Sequence, residues 1–144
     1  IWNHPMYLLH PDNSEQLNQA LRAHMLEFNA QHFDAQRQPL GFKYLDKQGE
    51  LVAGISGHVF GNWLLISWLW CDESARGSGL ADSLLMSLEH AAIEQGAAQA
   101  QLDTLDFQAK PFYEKRGYQV KYQLDNYPLN GTRYFMEKPL IVAK

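Results

Sequence analysis

The six residues Arg76-Gly77-Ser78-Gly79-Leu80-Ala81 hold the clearest chemistry in the chain. They follow an apolar run, Trp63 to Cys71, and precede a helical pattern from Leu80 to Gln95. A strand, a glycine-rich turn and a helix in that order form a cradle for an anion. The first N–H groups of a helix have no intrahelical acceptor, and the helix dipole adds partial positive charge at that end. Gly77 and Gly79 let the backbone come close to the bound group. Phosphate is the anion expected. A P-loop would follow its last glycine with Lys and then Ser or Thr, whereas Leu80-Ala81 follow Gly79, which argues against that nucleotide class.

The elements around this turn must position it. The run Trp63 to Cys71 hardly alternates, as expected of a strand in mid-sheet covered on both faces. In the following helix, Leu80, Leu84, Leu88, Ala91 and Ala92 share one face, and Gly96 is the expected C-cap. Gln99 to Leu105 reads as the next strand, so a right-handed crossover should join two parallel strands. Upstream, Leu40 to Asp46 and Leu51 to Phe60 read as strands, connected onward by Gly61-Asn62 as a hairpin turn. Met6 to Leu9 is a short apolar run expected to be the first strand. Asp12 and Glu15 resemble a capping box, with Asn13 and Ser14 as alternative caps. They open an amphipathic helix marked by Leu17, Leu21, Met25 and Phe28. The polar segment Asn29 to Gln38 has room for a second short helix, ended by Pro39. Downstream come a short helix over Phe107 to Arg116, a strand over Tyr118 to Leu124, a loop over Asn126 to Gly131 and a last strand over Thr132 to Glu137. The expected fold is α/β (α+β), a mixed and mostly antiparallel sheet of about seven strands with helices on both faces.

Composition bounds the function. The chain has 144 residues, 46% of them apolar and 19% charged, so a single domain over 1–144 with a real core is expected. A net charge of -4 without a basic run disfavours nucleic acid as a partner. No apolar run approaches the ~18 residues that span a bilayer, and no leader pattern is visible. A cytoplasmic protein without a membrane partner is the expectation. The single cysteine, Cys71, excludes an internal disulfide and reads as a buried thiol rather than a nucleophile. His4, His10, His24, His32 and His90 show no ligand-like spacing, so no metal is expected.

Two motifs make the chain resemble the GCN5-related N-acetyltransferase (GNAT) family. Arg76-x-x-Gly79-x-Ala81 is similar to that family's R/Q-x-x-G-x-G/A. Ala109-x-x-Phe112-Tyr113-Glu114-Lys115-x-Gly117-Tyr118 is similar to its A-x-x-x-Y-E-K-x-G-[FY]. The element order agrees over almost the whole chain. The resemblance implies acetyl coenzyme A as donor and an amine as acceptor. By position it implies that the backbone of Arg76, Gly77, Ser78, Gly79, Leu80 and Ala81 holds the pyrophosphate. It also implies that the central parallel strands splay. Leu69, Trp70 and Cys71 would then pair through their backbones with the pantetheine arm, by ordinary strand addition, and an N–H near Leu69 would polarise the thioester carbonyl. Tyr113 stands where the family keeps its general acid. Asp106 stands where the family often has Asn contacting the cofactor, and Gln108 is the replacement polar group. Family members are often dimers, so a homodimer is also implied.

A protonated alkylamine needs a base before it can attack. Asp103, on the strand that should line the gap, and Glu73, just after the central strand, are the leading candidates. His58, Asp72 or a water chain are the alternatives. Phe28, Phe33, Trp68, Tyr127 and Tyr134 are expected to wall the acceptor pocket, where aromatic faces and nearby acids suit a small cationic amine. The reading is an N-acetyltransferase for a small-molecule amine. Acetylation of a protein or peptide amine and a non-catalytic coenzyme A-binding module are the alternatives.

Overall fold

The computed structural model describes residues 4–140, which form two units, one running to Ala35 and the other starting at Gln36. The first unit holds helix α1 (Glu15–Asn29). Ser14 is its N-cap, its Oγ accepting from Leu17 N–H at 3.2 Å. Asp12 instead accepts from Ser14 N–H at 2.9 Å, so the cap is the alternative Ser14 and not Asp12. Two sequence expectations fail here. Met6 to Leu9 form no strand: a strand exists only by pairing, this run of four lies between Pro5 and Pro11, and its side chains are exposed. After a turn over residues 30–32, the segment up to Gln38 contains no second helix.

The second unit is a sheet of six strands, not seven. They are β1 (Gln38–Leu45), β2 (Leu51–Phe60), β3 (Trp63–Cys71), β4 (Gln99–Leu105), β5 (Gln119–Asp125) and β6 (Thr132–Pro139), in spatial order β1-β2-β3-β4-β6-β5. Only β3 and β4 run parallel, joined by α2 (Leu80–Glu94); the other pairs are antiparallel. Pro39 lies inside β1, which is tolerated because β1 is an edge strand. A short helix α3 (Lys110–Lys115) follows β4.

α2 covers one face of the sheet. Its Leu84, Leu85, Leu88 and Ala92 are buried with Ala53, Ile55, Val59, Leu64, Ile66, Ala100, Leu102 and Met136. Burying each large aliphatic side chain is worth about 1.5–3 kcal/mol. Tyr44 Oη and Ser83 Oγ share a hydrogen bond of 2.7 Å that ties β1 to α2. Gly96, at φ +97°, ends the helix, and Ala97 N–H donates back to the Ala92 carbonyl.

β3 departs from its expected burial. Its first half is covered, but Trp68 and Trp70 are 77% and 46% exposed. The cause is a bulge. Ser56 pairs with Trp68 and Gly57 with Ile66, so Ser67 is an extra residue on β3. A bulge bends its strand and strengthens the local twist. Gly57 sits against the kink: a Cβ there would lie 2.4 Å from the Leu65 carbonyl oxygen. Gly57→Ala should therefore destabilise the protein by about 2–3 kcal/mol through overpacking against backbone that cannot yield. Urea unfolding measures this, and a wild-type midpoint would refute the account of the bulge.

Candidate active site

The bulge opens the sheet. β3 and β4 pair only at Trp63–Gln99, Leu64–Ala100 and Leu65–Gln101. Beyond that point the strands part, and a cleft of about 570 Å³ lies between them. Ile66 to Leu69 line one side and Leu102 to Leu105 the other, with Gln108, Tyr113, Tyr127 and Arg133 completing it. The facing backbone groups of β3 have no ladder partner there. This is the splay expected from the motifs.

The cleft runs through the sheet, so its two ends differ. Leu69 and Cys71 pair across from Ile55 and Ala53, which puts their side chains on the α2 face. Trp68 and Trp70 take the opposite face. Tyr113, in α3, is buried and meets Phe112 and Tyr118 edge-on at 5.3 and 5.8 Å between ring centroids. Burial, with a smaller contribution from the Asp103 charge, raises its pKa to about 12. Gln108 accepts from Leu105 N–H at 2.7 Å and from the Thr104 hydroxyl at 3.3 Å through Oε1, which leaves its amide N–H groups for the cleft.

On the other side Asp103 meets Arg133, whose Nε donates to Oδ1 at 3.0 Å. Arg133 also donates to the Tyr127 hydroxyl at 3.1 Å and lies over the Phe135 ring at 4.8 Å. The hydrogen bond that Arg133 donates to Asp103 raises the Arg133 pKa above its ordinary value. Tyr127 is an acceptor-wall candidate of the sequence and does line the cleft, whereas no sequence signal singles out Arg133. Both lie beyond the last motif in sequence, and the β4–β6 register and the return of the loop carry them to Asp103.

The glycine turn lies at the start of α2. Gly77 and Gly79 have φ of +83° and +82°, a left-handed conformation that favours glycine, and an added Cβ at either would meet nothing within 4 Å. Ser83 N–H is the first to bond back into the helix, to the Gly79 carbonyl. The N–H groups of Gly79, Leu80, Ala81 and Asp82 thus have no helical acceptor, and Gly79 supplies no side-chain cap. Open space above exposed donors fits a phosphate group. Ser78 turns its hydroxyl to the Ala75 carbonyl, and Arg76 folds back to the Cys71 carbonyl at 3.4 Å.

Several candidates of the second unit stand elsewhere. Glu73 begins a short 3-10 turn (Glu73–Ala75) and does not line the cleft. Asp72 caps that turn, and its hydrogen bonds with Ser74 lower its pKa. His58 contacts Arg37 Nη1 at 2.6 Å, and desolvation, then that charge, lowers its pKa. Tyr134 is half-buried on the core side of β6 with Lys110 Nζ 5.0 Å from its ring, away from the cleft lining. Phe28 and Phe33 belong to the first unit, Phe28 in α1 and Phe33 just beyond it, both exposed. Asp106 does not line the cleft; its carboxylate lies against Gly131, where an added Cβ would stand 3.2 Å from Oδ1. Among the described residues no His, Cys, Asp and Glu cluster has the arrangement to hold a metal ion, and no helix is long and apolar enough to cross a membrane.

A buried network holds Tyr113 from behind. Glu89, 8% exposed, accepts from the Tyr118 hydroxyl at 2.7 Å and from Lys138 Nζ at 2.9 and 3.1 Å. It joins α2, the end of α3 and β6, and Tyr118 in turn braces the Tyr113 ring.

A parallel pair opened by a bulge, with a helix N-terminus beside it and a buried tyrosine across it, is the architecture of an acyl-transfer enzyme. The chain matches the profile of the Acetyltransferase (GNAT) family over residues 3–118 and belongs to that family. It is 39% identical over 95 residues to a blasticidin-S acetyltransferase of Streptomyces morookaense, covering 65% of this chain and 70% of that one. Its structure superposes on that of an acetyltransferase from Bacillus cereus with a TM-score of 0.83 and 27% identity, covering 93% and 99% of the two chains. An aminoglycoside 6'-N-acetyltransferase complexed with coenzyme A shares the fold, with a TM-score of 0.65 at 18% identity over 90% of this chain and 88% of the other.

Two outcomes test the site's electrostatics. Tyr113 titrates near ~10 when unfolded and at about 12 when folded. Between these values the unfolded chain loses a proton that the folded chain keeps, so stability falls as pH rises from 10 to 12. Tyr113→Phe should remove about 2–3 kcal/mol of that loss, read from denaturation at pH 8 and pH 12. An equally steep alkaline limb in the variant would contradict it. Glu89→Ala should cost about 3 kcal/mol at pH 7, since it strands Lys138 and the Tyr118 hydroxyl; a loss under ~1 kcal/mol would show that the network is incidental.

Proposed function

We propose that this single GNAT domain transfers an acetyl group from acetyl coenzyme A to an amine of a small molecule. The cleft that pierces the sheet between β3 and β4 carries the reading. It gives donor and acceptor opposite faces from which to meet. The thioester supplies the activated acetyl group; the chain's residues bind, orient and move protons.

The turn Arg76 to Ala81 would hold the pyrophosphate, chiefly on the N–H groups of Gly79, Leu80 and Ala81, which have no helical acceptor. The edge of β3 over Leu69, Trp70 and Cys71 that faces away from β2 would bind the pantetheine amides, with Gln108 adding donors from the other wall. Asp103 keeps Oδ2 clear of its Arg133 bond, and takes the amine's proton directly or through water. Glu73 has no such place at the cleft. Tyr113 faces the leaving sulfur. A simple thiol ionises near ~8.5, whereas Tyr113 holds its proton to about 12. It therefore steadies the developing negative charge by donating a hydrogen bond, and full proton transfer from it is uphill at neutral pH.

The small-molecule acceptor is favoured by a recessed cleft with aromatic and charged walls, and by likeness to an enzyme named for blasticidin-S. The test follows thioester consumption with acetyl coenzyme A and a panel of amines. Gly79→Glu should abolish donor binding, because its carboxylate fills the phosphate space and repels it. Tyr113→Phe should bind the donor normally and lower kcat by about 10²-fold. Normal turnover in Tyr113→Phe would remove the tyrosine from the mechanism. Absence of thioester loss with every amine, despite donor binding, would favour a non-catalytic coenzyme A-binding module.

A further inference from the structure

A second concavity of about 500 Å³ lies on the sheet face opposite α2 and shares Trp68 with the catalytic cleft. Strand register sets its walls. One cross-strand row is Gly41, Ser56 and Trp68; the next is Lys43, Gly54 and Trp70. Gly41, Ser56 and Gly54 make a floor of almost bare backbone. Trp68 and Trp70 rise from it on the same side, and neither has an aromatic ring partner among the described residues. Two residues along a strand separate their roots by about 6.6 Å. A flat ring touching an indole on each side needs about 3.5 Å per contact, close to that spacing. A chair-shaped saturated ring is thicker and lacks the π-face.

We infer that this groove takes the body of the acceptor, and that the acceptor is an amine carried on a flat aromatic or heteroaromatic ring. The inference rests on the acetyltransferase reading above and adds the class of acceptor. Charge divides the molecule between the two hollows. Lys43 is the one charged residue lining the groove, so a cationic amine is not drawn there. The carboxylate is in the cleft, at Asp103, on the other side of Trp68. The ring thus lies along Trp68 and Trp70 while the amine reaches past Trp68 towards Asp103. The volume is within the range of small-molecule sites.

The test compares 2-phenylethylamine with 2-cyclohexylethylamine, which carry the same amine and the same number of carbons. With wild-type protein, kcat/KM should favour the aromatic amine at least tenfold, with the difference in KM. Trp70→Leu and Gly54→Val, which remove a wall and fill the floor, should each bring the ratio towards one. Because the readout is a ratio, a general loss of activity cancels. Calorimetric titration of both amines in the absence of donor reads the groove without turnover and should show the same preference. A ratio near one in wild type, or one unchanged in both variants, would overturn the groove. Preferential binding of the aromatic amine without thioester loss would keep the groove and defeat the acetyltransferase reading for this amine class. Turnover without ring preference would do the reverse.

Discussion

The parting of β3 from β4 is the constraint on which the rest of the site depends. Three register pairs hold the strands, and a bulge at Ser67 then turns β3 away. An unbulged β3 would continue its ladder and close the sheet. Its backbone groups would be consumed and no passage would join the two faces. Gly57 permits the bulge, because a side chain there would collide with the Leu65 carbonyl. A residue with no chemistry of its own therefore sits upstream of every contact proposed for catalysis.

Opening a sheet costs pairing, and the structure offsets this around the gap. α2 buries Leu84, Leu85 and Leu88 over the strands that still pair. Behind the cleft, Glu89 binds Tyr118 and Lys138 together. A carboxylate this buried is costly unless it is paired and fully hydrogen-bonded, and here both oxygens are engaged. The outcome is a fixed Tyr118, against which Tyr113 packs edge-on. Burial does two things to Tyr113 at once: it sets the ring, and it keeps the hydroxyl protonated far above neutral pH. Across the gap, Asp103 and Arg133 neutralise each other in part, so the acceptor side carries a directed pair rather than a bare charge.

The donor side was far more legible than the acceptor side, and the difference is one of sequence distance. The proposed phosphate cradle is local: Gly77, Gly79 and the start of α2 lie within a few residues, and their spacing suits a left-handed turn at the start of a helix. Tyr113 likewise belongs to a continuous motif. The acceptor walls come from separate strands. Tyr134 was expected in the pocket, but the β6 alternation turns it to the core and turns Arg133 to the cleft. Glu73 is adjacent to the central strand in sequence, yet a 3-10 turn intervenes and it is absent from the lining. Met6 to Leu9 have the composition of a strand but no partner to pair with.

The sequence by itself therefore determined the family, the order of β1 to β6 and the glycine turn before α2, because each rests on near neighbours or on periodicity. Only the tertiary structure decided that Trp63 to Cys71 is bent rather than straight, that Trp68 and Trp70 face outward, and that Asp103 meets Arg133. The reason is physical: a one-residue bulge reverses which face the following side chains take. It leaves no mark in composition, and it becomes visible only when β3 is set against Ser56 and Gly57 of its neighbour.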